Sequence, residues 1–528
     1  MDKNKDLIIE ETFNLAVKNH TENNTEVAQN LYKEVLEIDP SYVTAHNNLG
    51  AIFNELRDFQ KARLCYEKVI EIDPTYAMAY YNLGVVCNKL RDFQKAIICY
   101  EKAIEFKPNY VMAHYNLGVI YLDLDERLKA ISYFEKAIEV DPKHVNSYNN
   151  LGLIFSKSGD VQKAISYFEK AIKIDPKHGI AHNNLGLIFS DSRDVQKAIS
   201  YFEKAIEIDS NSAEAHCNLG VMFSDLGKRL KAKSYFEKAI EIDPNHIVSL
   251  YNCGVNLFLR KQYKDAAEQF KLINFKNSKS FLLKCLYKLD NKSAFLKELD
   301  DLIKKGEINA IIGSLSYCSE IKYGIKRLNP FCGDPLKYVL KKDLIEQHDF
   351  ENVCVKPIKN ILKERFFSLR QQTLLTNGYQ TAGNLFTKNN NLLKKIEDII
   401  HLEVEQYKDH FKDSNEGLIK SWPNSYNIKA WLVSMKSGGK LDPHMHELGW
   451  LSGSIYINVP PKLKTDSGNL VVCVDDQKIE VKKNINQKKI IDVVTGSLCL
   501  FPSSLYHYTI PFESKEERIV LAFDLIPD

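Results

Sequence analysis

Three histidines near the end of the chain have the types and the spacing of a metal site. They are the only histidines in the last 118 residues: His444, His446 and His507. His444 and His446 are two apart in a strand-like segment, so both side chains would point to one face. His507 follows the strand-like run 496–502 and would supply a third ligand from a second strand. A facial site of this kind on non-haem iron leaves positions for a co-substrate and dioxygen.

Arg518 lies eleven residues after His507 and adds a second chemical group. A guanidinium group is planar and always charged, and it can pair with a carboxylate through two parallel hydrogen bonds. A histidine pair on a strand, or a single arginine, is often only a polar surface feature. Here the order and spacing of the four residues together favour a site in which Arg518 holds the distal carboxylate of an oxo-acid.

The residues around these side chains carry a family resemblance over about the last hundred residues. The matching segments are Asn329–Leu336, Ala430–Gly439, Pro443–Gly453, Tyr456–Asn458, Gly468, Gly496 with Ser497, Phe501–Ser504, His507 and Arg518–Phe523. This part of the chain resembles the iron(II)- and 2-oxoglutarate-dependent oxygenases that occur fused to tetratricopeptide repeats. The resemblance implies a double-stranded β-helix, or jelly roll, with the metal between its sheets.

The same resemblance implies an activity and a set of site residues. The domain would be a dioxygenase, an oxidoreductase that uses iron(II) and the co-substrate 2-oxoglutarate to hydroxylate a C–H bond. His444, His446 and His507 would hold the iron, and Arg518 would hold the distal carboxylate of 2-oxoglutarate. Tyr456, in the pattern Tyr-x-Asn, would form a hydrogen bond to that carboxylate.

His446 departs from the wider superfamily, which usually has His-x-Asp or His-x-Glu followed by a distant histidine. Glu447 is a poor substitute because neighbours on a strand face opposite ways. Asp442 could share a face with His444, so a reversed Asp-x-His pair stays open. Two other functions also stay open: a repeat scaffold with a catalytically inactive jelly roll, and a three-histidine, cupin-type dioxygenase that needs no oxo-acid.

The first half of the chain has a period of 34 residues. A small residue recurs with that period at Ala16, Gly50, Gly84, Gly118, Gly152, Gly186, Gly220 and Gly254. An alanine follows each of them by twelve residues, and prolines such as Pro40 and Pro74 end most units. A helix-turn-helix unit of this length is the tetratricopeptide repeat, and we predict eight over about residues 9–280. Repeats of this kind stack into an all-α solenoid with a long concave surface.

An asparagine stands two residues before the small residue in every unit. These are Asn14, Asn48, Asn82, Asn116, Asn150, Asn184, Asn218 and Asn252. An amide side chain both donates and accepts hydrogen bonds, so a row of amides could bind the backbone of an extended peptide of any sequence. The array resembles in this respect the repeats of O-GlcNAc transferase, where concave asparagines hold substrate peptide. The alternative is that asparagine belongs to the repeat consensus and supports neighbouring helices.

These patterns predict a multidomain α + β protein. Residues 1–280 would be the all-α solenoid, 281–341 a helical cap and connector, and 342–528 the jelly roll with the oxygenase site. A solenoid needs a cap because its last repeat would otherwise expose its apolar end. The solenoid would recruit the protein or peptide on which the oxygenase domain acts.

Charge and hydropathy exclude some classes of partner. The net charge is +2, from 71 basic and 69 acidic residues, which gives no basic field for nucleic acid. No apolar run approaches the length of a membrane span, and the first ten residues lack the apolar core of a signal peptide. We therefore expect no nucleic acid, no membrane and a cytoplasmic location.

Overall fold

The chain folds into two compact units, Met1–Pro244 and Asn245–Asp528. The division into 1–280, 281–341 and 342–528 that the sequence predicts follows periodicity, and it stays a proposal. The computed structural model describes residues 3–192, 194–363, 369–370, 374–381, 384–387, 391–475 and 488–528.

The first unit consists of helices paired into antiparallel hairpins, one hairpin for each 34-residue unit of the sequence. The helices are α1 (Lys3–Thr21), α2 (Thr25–Ile38), α3 (Val43–Glu55), α4 (Phe59–Ile72), α5 (Ala77–Lys89), α6 (Phe93–Phe106), α7 (Val111–Asp123), α8 (Arg127–Val140), α9 (Val145–Lys157), α10 (Val161–Ile174), α11 (Gly179–Asp191), α12 (Val195–Ile208), α13 (Ala213–Asp225) and α14 (Arg229–Ile242).

The recurring glycine lets the two helices of a hairpin approach each other closely. In α9, a Cβ atom on Gly152 would lie 2.6 Å from the ring of Phe168 in α10, a side chain that is fully buried. The same glycine-to-ring contact recurs in the hairpins that contain Gly50, Gly84, Gly118, Gly186 and Gly220. A side chain at this position would push the helices apart, because a packed core has no room for added atoms. The sequence period therefore reflects one packing contact that is repeated along the array.

The second unit begins with one more hairpin of the same kind. Its helices α15 (Ile247–Leu259) and α16 (Tyr263–Lys271) meet at Gly254 and Phe270. The remaining helices are α17 (Ser278–Lys288), α18 (Lys292–Lys304), α19 (Ala310–Tyr323), α20 (Lys356–Lys363), α21 (Asn391–His410) and α22 (Gly417–Lys420). Phe281 of α17 stacks on Phe270 at 5.5 Å between ring centroids, so the connector continues the core of the last hairpin. Across the described part of the chain, no helix is long and apolar enough to cross a membrane.

The strands of the second unit form one antiparallel sheet that curls into a nearly closed barrel, as a jelly roll requires. Its strands are β1 (Leu340–Asp343), β2 (Leu369–Arg370), β3 (Leu375–Thr381), β4 (Tyr426–His444), β5 (Leu451–Asn458), β6 (Leu470–Cys473), β7 (Lys488–Ile491), β8 (Ser497–Pro502), β9 (Tyr506–Thr509) and β10 (Arg518–Pro527). They run in the order β1-β8-β5-β10-β4-β9-β6-β7, with β3 pairing to β2 and β4. The predicted fold class is thus confirmed.

The long strand β4 connects the two layers of the barrel. Its first part, Tyr426–Met435, pairs with β10, and its last part, Leu441–His444, pairs with β9. Between them Gly438 has a positive φ of 74°, a conformation that glycine adopts without strain. The bend brings the end of β4 into register with β9, where His444 lies opposite His507.

Alternation along the strands separates an outer from an inner face. In β10, the outer residues Ile519, Leu521, Phe523 and Leu525 belong to a core shared with α20, α21 and α22. The inner face of the same strand contributes Val520 to a second apolar cluster. That inner cluster also contains Tyr456 of β5 and Phe501 of β8. Because side chains alternate with a period of two, Arg518 and Asp524 share the inner face with Val520.

Candidate metal site and substrate-binding surfaces

The barrel brings the three C-terminal histidines together. One nitrogen of each of His444, His446 and His507 lies within 4.8 Å of the other two. The ring centroids are 4.2 Å apart for His444 and His507, 4.7 Å for His446 and His507, and 5.1 Å for His444 and His446. The sequence predicts His444 and His446 on one strand, but β4 ends at His444 and His446 lies in the turn that follows. The turn still places both imidazoles on the same side.

His444 is oriented by its own backbone. Its Nδ1 atom lies 2.9 Å from the carbonyl oxygen of Asp442, so Nδ1–H can donate there and Nε2 is left as a ligand. Burial and the nearby His446 lower the pKa of His444 to about 4. The carboxylate of Asp442 is 44% exposed and pairs with Lys440 at 3.2 Å. This placement does not favour the Asp-x-His alternative.

His446 is oriented by a buried carboxylate that sequence reasoning missed. Its Nδ1 atom lies 2.6 Å from Oδ1 of Asp524 in β10, and Asp524 is only 5% exposed. Burial lowers the pKa of His446, but the charge and hydrogen bond of Asp524, together with the charge of Glu447, raise it, and the pKa lies above its ordinary value. The sequence does contain a signal for it, because Asp524 is the only carboxylate in the apolar segment that begins at Arg518. Asp524 is six residues after Arg518, so in a strand both side chains lie on the same face.

His507 is the most deeply buried of the three imidazoles. Its ring packs against Phe501 of β8, with 5.0 Å between centroids. Burial lowers the pKa of His507 well below its ordinary value, and the neighbouring His444 and His446 lower it further. A neutral imidazole is the form that binds a metal ion, so the environment keeps His507 in the form that a ligand needs.

Glu447 follows the end of β4, and a lysine pairs with its carboxylate. Its carboxylate forms an ion pair with Lys284 of α17, with 2.5 Å between Oε1 and Nζ. The side chain of Lys284 is only 8% exposed, and its ammonium group lies 5.4 Å from the ring centroid of Phe258 in the last repeat hairpin. Within the second unit, the turn that carries His446 is thereby tied to the helices that precede the barrel.

Arg518 is a buried cation without a carboxylate partner among the described residues. It is 2% exposed, and its guanidinium carbon lies 5.0 Å from the ring centroid of Tyr456. Its Nε atom is buried and has no hydrogen-bond partner in the described part of the chain. Burial lowers the pKa of Arg518. A buried charge without a counter-ion is costly, so this position favours binding of an anion from outside the chain.

The asparagine row makes hydrogen bonds between neighbouring repeats. Nδ2 of Asn184 donates to Oδ1 of Asn149, 35 residues earlier in the chain, at 3.0 Å. Donation to the residue 35 positions earlier recurs for Asn82, Asn116, Asn150 and Asn218, whose acceptors are asparagine amides or tyrosine hydroxyls. These bonds use the N–H groups, and the Oδ1 atoms of these five asparagines accept no hydrogen bond from the described residues. The row therefore supports the solenoid with its donors and presents its carbonyl oxygens.

The histidines of the repeats have a different environment from those of the barrel. Nε2 of His182 lies 3.2 Å from the carbonyl oxygen of Pro176 in the preceding turn. His114 and His216 make the same contact in their own repeats. Each ring therefore closes a turn, and within the described residues the barrel trio forms the one group of three or more possible metal ligands.

Comparison with protein families supports the two parts separately. The sequence model of the family described as "Putative 2OG-Fe(II) oxygenase" matches residues 429–524, which contain most of β4, all of β5 to β9, most of β10, the three histidines and Arg518. Tetratricopeptide-repeat models match residues 43–76, 77–110, 109–177, 146–211 and 213–246. The chain thus carries tetratricopeptide repeats followed by a domain of that oxygenase family.

Three solved structures show what this chain is similar to. MamA is 31% identical over 31% of this chain and 95% of its own, with a TM-score of 0.30. YrrB, described as a TPR protein with an unusual peptide-binding site, is 26% identical over 35% of this chain and 95% of its own, with a TM-score of 0.29. A tetratricopeptide repeat protein from Parabacteroides merdae is 18% identical over 48% of this chain and 99% of its own, with a TM-score of 0.40. No curated protein matches the chain.

Proposed function

We propose that the barrel is an iron(II)- and 2-oxoglutarate-dependent dioxygenase and that the repeats recruit its protein substrate. The observation that carries the first part is the inner face of the barrel, which joins three converging imidazoles to a buried arginine without a counter-ion. Either feature alone has structural explanations. A set of metal ligands and a buried cation suited to a carboxylate, on one face, are together the two requirements of this reaction class.

The donor set fits iron(II). His444 and His446 each use Nδ1 for a hydrogen bond within the chain, so both present Nε2, and His507 is held neutral by burial. Imidazole nitrogen is a good ligand for iron, and a three-residue facial set leaves coordination positions open. Bound iron(II) and 2-oxoglutarate would supply the oxidation, in which dioxygen, the oxo-acid and a C–H bond yield succinate, carbon dioxide and an alcohol.

The chain's own residues would bind the co-substrate and keep water out. Arg518 would pair with the distal carboxylate of 2-oxoglutarate, a contact that satisfies its unpartnered Nε atom. Tyr456 stacks on the guanidinium group and would fix its direction, with its hydroxyl as a further donor to that carboxylate. The apolar neighbours Phe501, Val472 and Val520 make the space around these groups dry, which strengthens the pairing of charges.

The test is production of succinate. Purified protein would be loaded anaerobically with iron(II), mixed with 2-oxoglutarate and exposed to dioxygen, with the His444→Ala variant as control. We expect slow succinate formation without any prime substrate by the wild type and none by the variant. Metal binding without succinate would favour the inactive jelly roll, and metal-dependent consumption of dioxygen without 2-oxoglutarate would favour the cupin-type alternative.

For the repeats, we infer that an extended segment of a partner protein lies along the asparagine row. The first helices of neighbouring repeats contact each other, as α9 and α11 do, so these helices line the inner side of the array. The Oδ1 atoms of the row would accept hydrogen bonds from peptide N–H groups, while one N–H of each amide is engaged between repeats. A cytoplasmic location stays a prediction from the sequence.

Two matched triple variants separate the two uses of these side chains. Replacing Asn116, Asn150 and Asn184 with alanine removes donors and acceptors, whereas replacing them with aspartate removes the donors and keeps an acceptor oxygen. At ~1 kcal/mol for each bond, the alanine variant should bind its target on the order of a hundredfold more weakly. Mass spectrometry of proteins from a cell extract would measure gain of one oxygen. If the two variants lose hydroxylation equally, the row only supports the repeats.

A further inference from the structure

The turn that carries His446 is built around a buried network centred on Asp524. Oδ1 of Asp524 lies 2.6 Å from Nδ1 of His446 and accepts a hydrogen bond from Oγ of Ser452 at 2.8 Å. Ser452 also lies 2.8 Å from Oγ of Ser503, and both serines are buried. The carboxylate is thus held by Ser452 of β5, and Ser503, in the turn after β8, holds Ser452 in turn.

The glycine at position 449 is required for this network to close. A Cβ atom there would lie 2.5 Å from Oγ of Ser503 and 3.4 Å from Oδ1 of Asp524. Any side chain would therefore displace Ser503, whose hydroxyl bonds to Ser452. The turn 445–450 accommodates the carboxylate at the base of His446, and this feature has no counterpart at the other two histidines.

The two imidazoles with known Nδ1 partners provide an internal comparison. His444 faces a neutral acceptor, the carbonyl oxygen of Asp442, at 2.9 Å. His446 faces a charged acceptor at 2.6 Å, and charge-assisted hydrogen bonds are shorter and stronger than neutral ones. A carboxylate at Nδ1 pushes electron density towards Nε2 and makes the imidazole a more basic ligand. His446 stands where a His-x-Asp or His-x-Glu centre has its carboxylate ligand.

We infer that Asp524 is a positioning residue that supplies, through His446, the negative charge that a carboxylate ligand gives directly to iron in a two-histidine, one-carboxylate centre. This inference rests on the proposed metal site. The charge of the carboxylate is one imidazole further from the metal, and all three ligands are histidines. Asp524 then has two roles: it selects the tautomer of His446 and it partly neutralises the charge of the bound ion.

The experiment uses cobalt(II) as the probe, because its binding and its ligand-field spectrum can be measured without turnover. Asp524→Asn keeps the shape and an acceptor oxygen but removes the charge. We expect cobalt(II) affinity on the order of ten- to a hundredfold lower than in the wild type, with a shifted spectrum. The matched control is Asp398→Asn on the exposed side of α21, which should bind cobalt(II) as the wild type does.

A second background separates a charge effect from a structural one. In His446→Asp, a carboxylate would bind the metal directly, and Asp524 would then stand beside a second anion. Because the imidazole that links Asp524 to the metal is absent there, adding Asp524→Asn to that variant should lower cobalt(II) affinity much less than it does in the wild type. A loss of equal size in both backgrounds would show that Asp524 only supports the turn and would overturn the inference.

The same measurements separate this inference from the proposed function. In one outcome, the wild type binds cobalt(II) and His444→Ala abolishes this binding, while Asp524→Asn binds the ion as tightly as the wild type. That result would overturn the role of Asp524 but would leave the proposed metal site intact. A wild type that binds no cobalt(II) overturns both. Thermal unfolding of each variant, which should match the wild type within a few degrees, shows whether the barrel has remained folded.

Discussion

In the repeats, a side chain meets partners a fixed number of residues away, whereas in the barrel the partners have no common spacing. Gly152 contacts a ring 16 residues later in the sequence, and Asn184 bonds to a residue 35 earlier. His446 bonds to an aspartate 78 residues later, and His444 lies opposite His507 across two strands. The contacts of the repeats are periodic, so each repeat depends only on its neighbours. The contacts of the metal site are convergent, since they join residues from distant parts of the chain, and the site therefore depends on the registers of several strands.

The largest expected effect breaks the convergent site at one ligand. His507→Ala should abolish binding of iron(II), because a facial set with two imidazoles holds the ion by too few bonds. Anaerobic titration with circular dichroism as a check on folding measures this. The matched change in the repeats, His182→Ala, should leave metal binding intact. If His507→Ala bound iron(II) as tightly as the wild type, the three-histidine site would be wrong.

The second largest effect distinguishes the residue that would bind 2-oxoglutarate from the residues that would bind iron(II). Arg518→Leu should lower the affinity for 2-oxoglutarate on the order of a hundredfold, because two charge-assisted hydrogen bonds are lost. Iron(II) affinity should stay nearly the same. Calorimetric titration of both ligands makes the comparison, with Arg63→Leu on an exposed repeat helix as control. Equal affinity for the oxo-acid in variant and wild type would favour the cupin-type alternative.

The third prediction sharpens the periodic side of the comparison. Gly152→Ala places a methyl group where the Phe168 ring lies and should destabilise the repeats by about 1–3 kcal/mol. Chemical denaturation would measure the loss, and hydrogen exchange should localise it to α9, α10 and their neighbours. Adding Phe168→Leu should recover part of the loss, because the two changes relieve each other. If the two changes in the free energy of unfolding were simply additive, the glycine would not be required for contact with the ring. Metal affinity should not change in any of these variants.

The smallest effect concerns Lys284 of α17, a buried lysine whose ion pair with Glu447 connects α17 to the turn 445–450 that carries His446. Lys284→Met keeps the packing of the stem on Phe258 but removes the ion pair to Glu447. We expect a two- to fivefold loss of metal affinity, about 0.5–1 kcal/mol, and faster hydrogen exchange in residues 445–450. The control is Lys288→Met, an exposed lysine on the same helix. Equal exchange in the two variants would mean that Glu447 does not hold the turn.

The repeats and the three histidines could be predicted from the sequence because their signals are local or periodic. The helix pairs follow from the spacing of Gly50 and its equivalents, and the trio follows from the isolation of three histidines in the last part of the chain. The family resemblance then supplied the barrel and the interpretation of Arg518. Each of these needed only residue types and distances along the chain.

The rest depends on registers that no local pattern contains. Asp524 meets His446 because β10 pairs with β4 and β5 in one register, and a shift by one residue would turn the carboxylate to the helices. The tie between Lys284 and Glu447 spans 163 residues and needs the connector to fold against the barrel. The use of the asparagine donors between repeats was visible in the sequence only as the alternative to peptide binding.

The bonds of the asparagine row also bear on how such a chain can change its length. Asn218 donates to Asn183, and Asn184 to Asn149, each to the residue 35 positions earlier. Removing residues 179–212 would bring Asn218 opposite Asn149, a partner of the same type, and duplicating them would do the same in reverse. A change of one 34-residue unit would therefore preserve these asparagine bonds across the junction. The contacts of the barrel have no common spacing, so no unit of the barrel could be exchanged in the same way.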